Sequence, residues 1–236
     1  MQKLFSEPLA YIFAVYSLSF FLMAGLILVG ARNAERVPLV KAMYWLAAFG
    51  LTHGACEAVD LVRFGFRTES GSEPAGLVWL SASLLILSFF ILGQFAAKLF
   101  SGGSSGPAMR FLPWALVLAA GAFAAVRGKT GISDVALASR YTMGFAGAAL
   151  SAYALYLTGR TMSSLGSKKL DAGIWVASVG FACYAVFGGL LVNPIGGWPI
   201  QLFRGACAVV IGISMFGIIA AFKFVRNTNV SAAATT

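Results

Sequence analysis

The second long apolar segment of the chain carries three ionisable side chains on one helical face. His53, Glu57 and Asp60 are spaced i, i+4 and i+7, which places them on the same side of a helix. Imidazole and carboxylate groups can exchange protons, bind cations or pair with arginine. Because ionisable side chains within a membrane span are costly unless they pair or face a cavity, this face predicts a site.

Two arginines in later apolar segments supply the opposite charge. Arg140 lies near the start of the fifth apolar segment, and Arg204 lies near the start of the seventh. We expect Glu57 and Asp60 to neutralise these arginines in the interior of a helix bundle. Two interpretations stay open. The charges can form an ion-pair cluster that fixes helix register, or they can line a pocket that opens outward and binds a small polar or charged ligand.

The cysteines and the single histidine suggest one metal alternative. Cys56, Cys183 and Cys207 all lie in apolar runs, and their odd number argues against a disulfide framework. Thiolate and imidazole suit copper(I), so His53, Cys56 and Cys207 are candidate metal ligands. We expect no resident cofactor, with copper as the alternative. A lone histidine also excludes a haem held by two histidines of this chain.

The elements that must position these residues are membrane helices. The sequence is 59% hydrophobic and 11% charged, whereas soluble domains are about 45–50% apolar and 25% charged. We therefore predict an all-α integral membrane protein, a seven-transmembrane helix bundle in the lipid bilayer. The net charge of +9 is assigned to membrane topology and not to a nucleic-acid partner.

Seven apolar runs are separated by glycine, proline, serine or charged residues. The predicted spans are 9–29, 40–64, 76–100, 111–126, 135–157, 174–192 and 200–224. None of the segments between them is long enough to hold a folded soluble domain. Residues 1–236 are accordingly predicted to form a single membrane domain.

The orientation follows from the basic residues that flank these spans. The richer side holds Arg32, Arg36, Lys41, Lys98, Arg110, Arg160, Lys168, Lys169, Lys223 and Arg226, and the other holds Lys3, Arg63, Arg67, Arg127 and Lys129. Positive residues are retained in the cytoplasm, so the N-terminus is predicted outside and the C-terminus in the cytoplasm. Glu57, Asp60, Arg140 and Arg204 then lie at similar depth below the outer face.

Two segments carry a family resemblance. From Arg36, an apolar Trp-Leu-Ala-Ala-Phe-Gly run precedes a His53-Gly54 pair and the acidic Glu57 and Asp60. This pattern resembles the first loop and second span of the seven-transmembrane N-terminal sensor regions of bacterial histidine kinases and diguanylate cyclases. The segment from Phe203 to residue 224 resembles their last span. The kinase, cyclase or PAS-type region that follows in those proteins is not found in this sequence.

The resemblance implies a module of the bacterial inner (plasma) membrane that senses an external or membrane-borne cue. We expect a non-enzymatic sensor or signal-relay protein with a cytoplasmic or membrane protein partner, or a homo-oligomer. One alternative is a structural or accessory subunit of a larger membrane complex. A transporter of a small solute or metal is a further alternative, but it would need a broken helix or a polar path across both leaflets. No motif of a soluble enzyme is found.

Overall fold

The computed structural model describes residues 8–32, 38–101, 107–128, 131–162, 168–191 and 197–233. Nearly all residues in these ranges are helical, and none of them lies in a β-strand. The predicted all-helical class is therefore confirmed for the part of the chain that the structure describes.

The described residues form eight α-helices, numbered α1 to α8 in chain order. They are α1 Pro8–Ala31, α2 Pro38–Ser70, α3 Ala75–Ser101, α4 Leu112–Val126, α5 Ile132–Ser139, α6 Phe145–Met162, α7 Lys168–Tyr184 and α8 Gly197–Ala233. A 3₁₀ turn, Pro107–Phe111, leads into α4. Two segments are π-helical: Arg140–Gly144 joins α5 to α6, and Ala185–Leu190 extends α7.

Five helical stretches within the described residues are long and apolar enough to cross a membrane. They are Leu9–Ala31, Ala75–Ser101, Met109–Val126, Lys168–Leu190 and Ile200–Phe224. A span needs about 20 mostly apolar residues, so these stretches suggest a helical membrane protein. The predicted second and fifth spans are not among these five stretches. They lie on α2 and on the α5–α6 run, which carry His53, Glu57, Asp60 and Arg140. Val192, the predicted end of the sixth span, lies outside the described residues.

Six helices form a closed ring, with the charged face of α2 turned toward its interior. Helix α1 contacts α2 and α8, α2 contacts α3, α3 contacts α6, α6 contacts α7, and α7 contacts α8. Helix α4 lies at the periphery, against α3 and α5. His53 and Glu57 therefore point into the bundle, where both side chains are almost fully buried.

Close contact of α1 with its two neighbours brings Tyr16 to the core. A Cβ at Gly50 would lie 2.9 Å from the Phe20 carbonyl oxygen, and one at Gly212 would lie 2.8 Å from the Cα of Met23. Residues without a side chain let helix backbones approach this closely in a membrane. Tyr16 is thereby held beside His53, one turn from Phe20.

The two π-helical segments meet at a backbone contact. A Cβ at Gly189, in the second segment, would lie 2.5 Å from the Cβ and 2.6 Å from the Cα of Phe145, the residue that directly follows the first. Arg140 begins the first π segment, and Tyr184 immediately precedes the second. Because π-helical turns are frequent at functional sites, their meeting beside the charged core is the main local feature of the fold.

Candidate functional site

His53 lies at the centre of an aromatic cage in the bundle interior. Its side chain is fully buried, and the centroid of its ring is 4.5 Å from that of Phe20, 5.2 Å from that of Phe49 and 5.5 Å from that of Phe89. Three helices, α1, α2 and α3, contribute these rings. The imidazole is therefore shielded from solvent by aromatic side chains on several sides.

The hydrogen bonds of His53 indicate which ring nitrogen carries the proton. Ser88 Oγ donates to the Leu85 carbonyl oxygen at 2.7 Å, so its single proton is used and it accepts from His53 Nδ1 at 3.0 Å. The neutral ring then presents Nε2 as an acceptor. The hydroxyls of Tyr16 and Tyr184 lie 3.3 and 3.2 Å from that nitrogen, and either one can donate to its single lone pair.

Glu57 is buried between the unprotonated Nε2 of His53 and the guanidinium of Arg140, without a hydrogen bond to either. Its Oε1 lies 3.6 Å from His53 Nε2 and 3.8 Å from Arg140 Nη2, whereas a charge-assisted N–H···O bond is about 2.7–2.9 Å long. Within the described residues, neither Glu57 Oε1 nor Arg140 Nη1 has a hydrogen-bond partner, although both atoms are buried. Opposite charges are thus close together but incompletely paired.

Arg204 binds the end of the neighbouring helix. Its Nε donates to the Phe187 carbonyl oxygen at 2.6 Å and its Nη2 to that of Leu191 at 3.0 Å. Its Nη1 donates to Gln201 Oε1 at 3.0 Å. The carbonyl groups at a helix C-terminus carry partial negative charge and lack partners within the helix. Arg204, which is 3% exposed, therefore caps the π-helical end of α7.

Asp60 belongs to a second charged group near the C-terminal end of α2. Its Oδ1 accepts from Arg63 Nη1 at 2.6 Å and from Ser81 Oγ at 2.6 Å. Arg63 also donates to Glu73 Oε2 through Nη2 at 2.7 Å and Nε at 3.0 Å, and Arg67 contacts the other oxygen of Glu73. Every carboxylate in this group is therefore bonded to a guanidinium.

The pKa of Glu73, which lies in the turn between α2 and α3, is shifted by this group. Burial raises the pKa, but the hydrogen bond and charge of Arg63, with the charge and hydrogen bond of Arg67, outweigh that effect. The net result is a pKa below the usual value of a glutamate. Glu73 is thus held in its charged form by the two arginines.

The five predicted site residues divide between these surroundings. His53, Glu57 and Arg140 come together, Arg204 binds the end of α7, and Asp60 pairs with Arg63. Sequence reasoning missed Tyr16, Tyr184 and Ser88. All three carry a hydroxyl group within an apolar span. Such residues are common in membrane helices, and the sequence does not indicate which of them point toward His53.

The predicted metal ligands are not gathered as a set. Cys56 is buried and its Sγ donates to the Ser81 carbonyl oxygen at 3.3 Å. Cys207 instead lines a groove between α7 and α8 together with Cys183. In the described ranges, the group whose possible ligand atoms converge consists of Cys56, Glu57 and Asp60, with separations within 4.8 Å.

The site does not present an accessible nucleophile. Ser88, His53 and Glu57 lie in the order of a hydrolase triad, but Ser88 is completely buried and donates its proton to the Leu85 carbonyl within α3. A serine nucleophile must instead give its proton to the histidine and reach a substrate carbonyl. Ser88 is therefore not placed as the nucleophile of such a triad.

Comparisons with protein-family models, curated proteins and solved structures give no match to this chain. The resemblance of its second and last spans to bacterial sensor regions stays a prediction. What the protein does must therefore be inferred from the chemistry of the site.

Proposed function

We propose that the protein is a non-enzymatic sensor or signal-relay module embedded in a membrane. Seven spans, an outer N-terminus and a cytoplasmic C-terminus are part of this proposal, as is a place in the bacterial inner membrane. The observation that carries it is the incomplete pairing of Glu57 with Arg140, beside His53 in the bundle interior.

Incomplete pairing of buried charges favours two alternative arrangements. A shift of about 1 Å would bring Glu57 within hydrogen-bond distance of Arg140 or of a protonated His53. Electrostatic interactions are strong where the effective dielectric constant is low, so each arrangement would be stabilised by its own contacts. A cue that binds one arrangement better shifts the population toward it.

The π-helical segment at Arg140 offers a path for that shift. A π turn holds one residue more than the same turn of an α-helix, and its conversion would move the following residues by about 1.5 Å and rotate them about the axis. Arg140 begins this segment, and α6 continues from it to Met162. In the proposed orientation Met162 is near the cytoplasmic face, where a protein partner would detect the movement.

A label-distance experiment tests this relay. Cysteine labels at Val29 on α1 and Leu157 on α6, both exposed, would report the distance between the proposed cytoplasmic ends in a background lacking Cys183 and Cys207. Glu57→Gln should shift the distance distribution, because a neutral amide cannot maintain the charge interaction with Arg140.

Glu73→Gln is the matched control, since it makes the same chemical change in the second charged group, which consists of Asp60, Arg63, Arg67 and Glu73. It should leave the distribution unchanged. An unchanged distribution in both variants, with lower stability of Glu57→Gln alone, would show that the charges only fix helix register.

A structural or accessory subunit is the second candidate. A groove of about 420 Å³ between α7 and α8 is lined by apolar side chains, among them Trp175, Val179, Phe203 and Val210. A transmembrane helix of another subunit would fit such a surface. Purification of one tagged chain from native membranes, followed by intact and denaturing mass spectrometry, separates the candidates. A stoichiometric complex with other membrane proteins that persists in Glu57→Gln favours the accessory subunit.

A further inference from the structure

A thiol and two carboxylates converge between α2 and α3. Possible ligand atoms of Cys56, Glu57 and Asp60 all lie within 4.8 Å of one another. Zinc ions are bound by cysteine sulfur and carboxylate oxygen in tetrahedral sites. We propose that these side chains, completed by Ser81, form a binding site for a thiophilic divalent cation, with Zn²⁺ as the probe.

The unsatisfied oxygen of Glu57 is an independent observation that points to a ligand. Glu57 is 1% exposed, and its Oε1 has no hydrogen-bond partner among the residues that the structure describes. A buried carboxylate without full pairing is unfavourable. A cation bound between Glu57 and its neighbours on α2 would satisfy this group directly.

Ser81 supplies the fourth position from the neighbouring helix. Its carbonyl oxygen lies 3.3 Å from Cys56 Sγ, and its Oγ lies 2.6 Å from Asp60 Oδ1. Tetrahedral zinc with bonds of about 2.0–2.3 Å requires ligand atoms roughly 3.3–3.8 Å apart. The ligand atoms of Cys56, Glu57 and Asp60 would therefore close by up to about 1 Å around the ion, whereas Ser81 Oγ and Asp60 Oδ1 would separate by roughly 0.7 Å. Arg63 Nη1, which donates to both of these oxygens at 3.1 and 2.6 Å, would turn aside.

Charge balance is compatible with a divalent cation. One thiolate and two carboxylates around Zn²⁺ leave one negative charge. Arg140 and Arg63, which without the ion lie 3.8 Å from Glu57 and beside Asp60, remain close enough to offset that charge over a longer distance. Arg63 keeps its bonds to Glu73 if Asp60 turns to the metal. Binding requires loss of the Cys56 thiol proton, which passes to solvent.

The ion can reach the site from the outer end of the bundle. The Asp60 and Arg63 side chains are 19% and 21% exposed, whereas Cys56 and Glu57 lie deeper and are buried. A role of the cation as the cue rests on the proposed relay. In that role, binding would draw Glu57 away from His53 and Arg140 and so shift the relay. Binding itself does not depend on the relay.

Metal titration of the purified full chain in detergent tests the site. We expect one Zn²⁺ per chain by calorimetry and elemental analysis, and a thiolate-to-metal absorption band when Co²⁺ is used. Cys56→Ser should lower the Zn²⁺ affinity at least tenfold and abolish that band. The matched variants Cys183→Ser and Cys207→Ser, which change thiols in the groove between α7 and α8, should bind as the unmodified protein does.

Two results would overturn the site. One is the absence of stoichiometric Zn²⁺ binding and of the Co²⁺ band in the unmodified chain, a measurement that needs no variant to fold. The other is equal Zn²⁺ affinity of Cys56→Ser and the unmodified chain. The Val29–Leu157 label pair separates this proposal from the relay. If Zn²⁺ binds but the distance does not change, the metal site stands and the cation is not the cue. If Glu57→Gln shifts the distance but the unmodified chain does not bind Zn²⁺, the relay stands and the metal site is rejected.

Discussion

Two charged groups lie one after the other along α2, and they differ in how completely their charges are hydrogen-bonded. The inner group consists of His53, Glu57 and Arg140, with charged or polar atoms 3.6 and 3.8 Å apart and little exposure. The outer group consists of Asp60, Arg63, Arg67 and Glu73, joined by hydrogen bonds such as that of 2.6 Å between Arg63 and Asp60.

Because their charges are bonded to different extents, the two groups on the charged face of α2 suit different roles. Fully bonded charges near the surface hold the α2–α3 turn in place, and they contribute modestly because solvent screens them. Incompletely bonded charges in the interior interact strongly but have no single best arrangement. The outer group therefore suits a fixed connection, and the inner group suits a change of state.

Removal of Arg204 should have the largest effect on stability. Arg204→Ala leaves the carbonyl groups of Phe187 and Leu191 without their donors in the bundle, and we expect a loss of about 3 kcal/mol. Unfolding by a denaturing detergent measures it. Arg110→Ala, which removes an exposed arginine before α4, is the control. Equal stability of the two variants would show that the cap on α7 is dispensable.

The backbone contact between the π-helical segments should be nearly as sensitive. Gly189→Ala places a methyl group on the backbone of Phe145, and we expect a loss of about 2–3 kcal/mol from overpacking. Gly217→Ala adds the same group on α8, where nothing lies within 4 Å, and should be neutral or slightly stabilising. Thermal unfolding in detergent compares them, and similar midpoints would contradict the close crossing.

The inner group was partly predictable because helical spacing is regular. The i, i+4 separation of His53 and Glu57 places them on one face, and membrane cost requires that face to turn inward. Arg140 could be matched to them by depth. The same reasoning predicted that Arg140 or Arg204 neutralises Asp60. In the structure Asp60 pairs instead with Arg63, three residues away in the same helix. A local pair outcompeted a long-range one.

The fold shows a similar division between regular and irregular features. Hydropathy predicted apolar helices, and five stretches of the described residues are long and apolar enough to cross a bilayer. It could not predict the π-helical segments at Arg140 and Ala185, because one extra residue in a turn hardly changes hydropathy. It also placed the end of the second span at Phe64, whereas α2 continues to Ser70, because a helix can extend beyond the apolar layer.

Within the outer group, the two arginines should differ in importance. Arg63 bonds to both Asp60 and Glu73 and is 21% exposed, whereas Arg67 contacts Glu73 and is 66% exposed. We expect Arg63→Ala to cost about 1 kcal/mol and Arg67→Ala less than about 0.5 kcal/mol. Detergent unfolding of both variants in low salt provides the comparison. A larger effect of Arg67→Ala would place the main connection of the turn at the exposed arginine.

The smallest effect should appear as a pH dependence of the outer group. Because the pKa of folded Glu73 is lowered from about 4.3 in the unfolded chain, the unfolded state binds more protons between the two values. Its contribution to stability is complete above about pH 5. It declines as the pH falls through the folded pKa.

The stability difference between the unmodified chain and Glu73→Gln should therefore be constant near neutral pH and shrink on acidification. Unfolding measured at several pH values, in a detergent without titrating groups, gives that difference. The same comparison in an Arg63→Ala, Arg67→Ala background should lose this pH dependence, because the interactions that lower the pKa of Glu73 come from the two arginines. A difference that grew on acidification would require a raised folded pKa, and the contacts of Glu73 with the two arginines could not then dominate its environment.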